Sequence, residues 1–268
     1  MLNLLGVSLG PEAHLLSPDK HNPAGFWEHA SIVDFNDQIL ARLGGTWQDP
    51  PELPLRWQKD ARFDDLKRSA RALVRREFGE SELWGWKDPR TCLTLPFWRT
   101  VVSPTHYVLC VRNPIDVAHS LQHTMPFAAG VDLWVRYVRW SLRHTMGQSR
   151  TFVFYEDQMS DHRAQADRLA AFIGESAASE RGEIQEAVSG FVTPDLWHHR
   201  TSLQRVIYDR RLAFEAKALY LSVRLSAPAP PEGWPEGLLE AFARVALDAS
   251  TRTETSQSPR LPPMRSLR

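Results

Sequence analysis

Two runs of β-branched and apolar residues constrain the fold most: His106-Tyr107-Val108-Leu109-Cys110-Val111 and Thr151-Phe152-Val153-Phe154-Tyr155. Each reads as a strand buried on both faces. Between them, helical spacing predicts one helix from about Pro114 to His123. It predicts another from Val131 to Met146, with Leu133, Trp134, Tyr137, Val138 and Leu142 on one side. Strands alternating with helices specify βαβ units, hence an α/β fold with a parallel sheet flanked by helices. A shorter strand is expected at Leu83-Trp84-Gly85-Trp86-Lys87, Thr91 to Val102 suits a helix or turn, and a further helix is expected beyond Asp161.

The flanks are less regular. Met1 to Val7 has apolar residues at helical spacing and ends at Gly6, like the last turns of a helix. Ser8 to Glu28 is loop-like, broken by Pro11, Pro18, Pro23 and Gly25. From Ser31 the apolar set Ile32, Phe35, Ile39, Leu40 and Leu43 predicts a helix stopped at Gly44-Gly45. Phe63 to Phe78 predicts a second, with Lys67, Arg68, Arg71, Arg75 and Arg76 on its other faces, a pattern read as a solvated basic face. Residues from about 180 to 250 read as a helical C-terminal part of one domain spanning 1–250, and Thr251 to Arg268 as a disordered tail.

Composition narrows the partners. Lys+Arg 32 balances Asp+Glu 32 for a net charge of +0, so no global field recruits nucleic acid. At 43% hydrophobic and 24% charged, the chain can fill a core and lacks a disordered composition. No run approaches the roughly 18 apolar residues of a membrane span, and no signal-peptide pattern opens the sequence. Cys92 and Cys110 are too few for a metal cage or a disulfide framework, so no metal is expected and a cytoplasmic setting is.

In open α/β sheets ligands bind beyond the carboxyl ends of strands. The segments there are Lys87-Asp88-Pro89-Arg90, Arg112-Asn113-Pro114 and Glu156-Asp157. Asn113 suits an N-cap and Pro114 the first helical position, so a helix mouth opens beside Arg112. A guanidinium next to free amides outlines an anion site, to which Ser120, eight residues on, can add a hydroxyl. The plainer reading pairs Arg112 with Asp116 and leaves Ser120 an ordinary helix residue.

Taken together, Val108 to Pro114 with Ser120, Trp86-Lys87-Asp88-Pro89-Arg90 with Leu93 to Trp98, Tyr155-Glu156-Asp157, and Asn22 to Glu28 resemble the sulfotransferases that use 3'-phosphoadenosine 5'-phosphosulfate. The similarity covers roughly residues 1 to 175. It implies a P-loop-type sulfotransferase fold and that donor as co-substrate. It further implies transfer of a sulfuryl group to a hydroxyl or amine of a carbohydrate, lipid or small-molecule acceptor. On this resemblance Arg112 and Ser120 hold the 3'-phosphate with Arg90 nearby, Lys87 neutralises charge on the transferring group, and Glu28 is the base, with His29 its substitute.

One departure stands out. The family's 5'-phosphosulfate loop, a basic residue followed by a Ser-Gly-Thr-Ser-like run, occurs nowhere in this sequence. The resemblance then implies that the first strand and that loop are missing ahead of Met1, with weak activity as a result. The alternatives are a nucleotide-binding scaffold without chemistry, and a kinase, which needs a Walker lysine that the sequence lacks.

Overall fold

In the computed structural model, residues 1–18, 22, 25–175, 182–191 and 201–226 are described. The chain divides into two compact units, Met1–Ser202 and Leu203–Arg268. The first is α/β and mostly helical, with a small parallel sheet of two strands.

Helix α1 (Ala30–Arg42) and helix α2 (Asp64–Phe78) form where the apolar spacing predicts them. α1 buries Ile32, Ile39 and Leu40. It ends at Gly44, whose φ of 87° lets the Gly45 amide turn back to the Leu40 carbonyl at 3.0 Å, a glycine stop that a side chain would strain. α2 buries Leu66, Ala70, Leu73, Val74 and Phe78, which meet Ile32, Ile39, Trp57, Phe63, Phe97 and Trp98 in one core. Its basic face is partly neutralised: Lys67 bonds Asp64 at 2.8 Å and Arg71 donates to the Thr100 carbonyl at 2.6 Å. That fits a solvated face better than a nucleic-acid patch.

Helix α3 (Thr91–Trp98) contains Pro96. A proline has no N–H to give the carbonyl four residues back, here that of Cys92. His144, the last residue of helix α5 (Phe127–His144), supplies the missing donor, its Nδ1 lying 2.9 Å from the Cys92 oxygen. Burial, outweighing this hydrogen bond, lowers the His144 pKa from 6.5 to about 4, so the ring stays neutral when folded. The unfolded chain therefore binds a proton that the folded one refuses between those values. Stability from this residue is complete above pH 6.5 and is lost as pH falls toward 4. The expected loss is about 2 kcal/mol after allowing for partial exposure. His144→Asn, which keeps a donor for the Cys92 carbonyl but does not titrate, flattens that part of a pH series of urea midpoints; an unchanged slope refutes this role.

Strand β1 (Tyr107–Val111) runs parallel to β2 (Arg150–Phe154), with Tyr107 opposite Arg150 and Val111 opposite Phe154. The crossover is α4 (Pro114–Ser120) and α5, packed so closely that a Cβ on Gly130 would come within 3.1 Å of the Ala118 Cα. After β2 come α6 (Tyr155–Ser160), α7 (His162–Ile173), capped by Asp161, and α8 (Gly182–Phe191). Leu5, Val153, Ala166, Leu169, Ala170 and Val188 form a second core. The second unit is described through α9 (Leu203–Tyr208) and α10 (Phe214–Leu225), tied by Lys217 donating to the Ile207 carbonyl at 2.8 Å. No helix among the described residues is long and apolar enough to cross a membrane.

Three expectations change. Leu83 to Lys87 is not a strand: Trp84 makes a single parallel bridge to Ser8. The partner segment runs out at once into Gly10 (φ 89°) and Pro11, while Trp84 and Trp86 pack onto Phe78 and Trp98 as an aromatic stack. Met1 to Val7 forms turns rather than a helix end, with Gly6 at φ 104°. The helix from Pro114 stops at Ser120 instead of reaching His123. Within the 180–250 part, the described segments are helical; the expected tail at 251–268 lies outside the described residues.

Candidate functional site

Parallel pairing puts the carboxyl ends of β1 and β2 side by side, so Arg112 and Tyr155 emerge together. The Arg112 guanidinium lies over the Tyr155 ring, 4.5 Å from its centroid. The Arg112 carbonyl is fixed from behind by Trp134 Nε1 at 2.9 Å. Its Nε is buried with no hydrogen-bond partner, and among the described residues no carboxylate pairs with the side chain. The plainer expectation, an Arg112–Asp116 ion pair, is absent among the described residues: Asp116 is fully buried, and its Oδ2 accepts a long 3.4 Å bond from the Thr201 amide.

The mouth of α4 is already furnished. Glu156 Oε1 takes the Asn113 amide at 2.6 Å, the Asn113 side chain caps the Ile115 amide at 2.9 Å, and Pro114 has no N–H. These amides are spent on carboxylate and carboxamide oxygens, leaving the guanidinium of Arg112, rather than the helix end, as the anion donor. Ser120 is exposed at the far end of α4 and shares no hydrogen bond with Arg112.

Glu28 and Lys87, far apart in the sequence, meet directly, with Nζ 2.5 Å from Oε1. Glu28 is buried, not the exposed loop glutamate that its surroundings in the sequence allow, and its Oε2 has no partner. Burial raises its pKa, opposed by the hydrogen bond and charge of Lys87. The approach to Glu28 is tightly wound: Gly25 and Trp27 both have left-handed φ (86° and 60°), and Asn22 Nδ2 donates to the Gly25 carbonyl at 2.6 Å. A tryptophan in that region is strained by about 1 kcal/mol or more, a cost that tends to collect at functional segments.

Lys87 also touches the strand system electrically. Cys110, two residues before Arg112, keeps an exposed surface. The protein packed around its thiol raises the pKa, and the charges of Lys87 and the N-terminal ammonium pull it back. Arg90 stands elsewhere: its Nε bonds Asp37 at 2.7 Å and its Nη1 bonds Asp88 at 3.1 Å, so two carboxylates already neutralise it. His29 turns its Nε2 to Glu77, 3.4 Å away, with the His14 ring beside it.

Sequence reasoning missed Asn36, a fully buried residue of α1. It donates to Asp88 Oδ2 at 2.8 Å and accepts from Thr94 Oγ1 at 2.6 Å and Trp98 Nε1 at 2.8 Å. It anchors the segment that carries Lys87. The available signal was its place between Ile32 and Ile39 on the inward face of the helix.

Against known proteins, the chain matches no family model, no curated protein and no solved structure.

Proposed function

We propose that the chain is a sulfotransferase of the 3'-phosphoadenosine 5'-phosphosulfate type, in which Arg112 grips the 3'-phosphate and the Lys87–Glu28 pair serves the transferring group. The observation that carries this reading is the guanidinium of Arg112 at a strand tip, over the Tyr155 ring and with no carboxylate partner among the described residues. An arginine whose Nε is a buried, unmet donor is costly to keep unless an anion completes it. Paired N–H donors of fixed geometry match a phosphate.

In the reaction the acceptor oxygen attacks sulfur. The new O–S bond forms as the bond between sulfur and the bridging phosphate oxygen breaks, and adenosine 3',5'-bisphosphate leaves. The acceptor's proton goes to Glu28, whose Oε2 is free to take it. Lys87, released from Glu28 as that carboxylate is protonated, neutralises the charge growing on the leaving phosphate. Such transfers depend on positioning and charge compensation more than on covalent help from the protein.

Glu28→Gln tests the assignment. The amide oxygen still accepts from Lys87, so donor binding and folding hold while the proton has no destination. Product formation, followed by mass spectrometry over phenol, sugar and lipid acceptors, is expected to fall about 100-fold or more with donor affinity within threefold. Equal turnover by the two proteins rules out Glu28 as the base.

A second reading, nucleotide binding without transfer, is favoured by the lack of any Ser-Gly-Thr-Ser-like run in the sequence. Wild-type protein that binds adenosine 3',5'-bisphosphate but sulfates no acceptor selects it.

A further inference from the structure

Away from Arg112, three residues of different segments converge on one point. His14 ends a short 3-10 turn (Glu12–His14), His29 immediately precedes α1, and Glu77 lies in the last turn of α2. His14 Nδ1 is 2.6 Å and His29 Nε2 3.4 Å from the same oxygen, Glu77 Oε2, and the three donor atoms all lie within 4.8 Å of one another. We propose that His14, His29 and Glu77 form a binding site for a divalent first-row transition metal, zinc above all.

The donor set selects the ion. Two imidazoles and one carboxylate suit zinc, cobalt or nickel, whereas magnesium and calcium require oxygen ligands. Zinc bonds of about 2.0–2.2 Å at tetrahedral angles put neighbouring ligand atoms about 3.4 Å apart. The His29–Glu77 separation of 3.4 Å already has that value. The His14–Glu77 separation of 2.6 Å must open by about 0.8 Å, and the His14 side chain is half exposed and able to swing.

Glu77 offers the site one oxygen, Oε2, which faces both imidazoles. Arg76 bonds the other oxygen, Oε1, at 2.7 Å, which leaves Oε2 as a single-oxygen ligand.

The rigid half of the site is preorganised. His29 is buried, and its ring is pressed by Gly10, where a Cβ would come within 2.9 Å of Cδ2, and by Phe78 at 5.8 Å between centroids. The loops bearing His14 and His29 are held side by side by an antiparallel bridge at Leu15 and His29 and by the Leu16 amide bonding the Glu28 carbonyl at 2.8 Å. A metal here closes the N-terminal loop onto α2 and keeps a fourth position open to solvent beside His14. His29 Nδ1 has no outer partner, so affinity in the micromolar range is expected, below that of sites whose histidines are braced from behind.

The test uses the full chain without a histidine tag, stripped with a chelator that is then removed. Titration with Zn²⁺ alone is expected to show one equivalent bound at micromolar Kd and a raised unfolding temperature. Co²⁺ is expected to give visible d–d bands that Zn²⁺ abolishes. His14→Ala, at a half-exposed position, folds as the wild type does without metal, weakens binding at least tenfold and loses the cobalt bands. Glu77→Gln does the same if it folds; if it does not, His14→Ala decides alone. Failure of the wild type to bind one equivalent, or binding unaltered in His14→Ala, overturns the site. Neither result depends on nucleotide binding or sulfuryl transfer.

Discussion

Arg112→Ala lowers affinity for adenosine 3',5'-bisphosphate by two orders of magnitude or more while leaving the fold intact. The magnitude follows from the donors removed. Two charge-assisted hydrogen bonds to a phosphate contribute about 1.5–3 kcal/mol each, together about 3–6 kcal/mol, and each 1.4 kcal/mol is roughly tenfold in Kd. The intact fold follows from what Arg112 does not do. It closes no ion pair among the described residues, its Nε is a buried donor without acceptor, and its one side-chain contact with energetic weight is the Tyr155 ring. That cation–π contact is worth about 1–2 kcal/mol, and removing the orphaned donor offsets part of its loss. Arg112→Lys keeps the charge without the planar fork and is expected to fall between the two. Calorimetric titration at several salt concentrations measures all three proteins. An alanine variant that binds as tightly as the wild type removes the arginine from the site and with it the main support for a sulfotransferase.

How much of this could be read from the sequence differs from residue to residue, for physical reasons. β1 and β2 were legible as unbroken runs of Val, Leu, Phe and Cys, but only β2 is covered on both faces: β1 buries Leu109 and Val111 and leaves Cys110 exposed, so the expectation of a doubly buried strand fails there. α1 and α2 were legible from their spacing and the glycine stop at Gly44. Leu83 to Lys87 misled because alternating tryptophans look like a strand with two faces. Here the indoles stack on Phe78 and Trp98, so packing took the side chains without a backbone ladder to match. The pairing of Glu28 with Lys87 was not legible, since the resemblance gave each only a role of its own and no local pattern joins residues so far apart. The cluster of His14, His29 and Glu77 was hidden for the same reason, and the further one that each residue alone reads as ordinary.

Asn36 is the position where a small change is expected to harm the fold most. It is fully buried among apolar neighbours, and each end of its carboxamide is used. Its Nδ2 donates to Asp88 at 2.8 Å and to Thr91 at 3.3 Å; its Oδ1 accepts from Thr94 at 2.6 Å and Trp98 at 2.8 Å. Thr94 has a second acceptor in the Arg90 carbonyl at 3.2 Å and survives the loss. The Trp98 indole N–H and one oxygen of buried Asp88 do not. A buried neutral donor left unmet costs about 1–3 kcal/mol and a charged group more, so Asn36→Ala is expected to lose about 3–5 kcal/mol. For a unit of this size that is on the order of 10 °C in Tm. Asn36→Asp separates hydrogen bonding from cavity formation. It keeps the acceptor for Trp98 and Thr94 but sets a second carboxylate against Asp88, so it is at least as unstable as Asn36→Ala at neutral pH. It recovers as acid restores a proton to donate to Asp88, a response Asn36→Ala does not share. Because Asp88 also holds the Arg90 amide at 3.0 Å, loosening it frees the segment that delivers Lys87 to Glu28. Transfer activity should therefore fall further than donor binding in any Asn36 variant that still folds. Urea midpoints over a pH series measure the first claim and paired binding and turnover assays the second. A loss below 1 kcal/mol in Asn36→Ala would mean that the network is incidental to the fold.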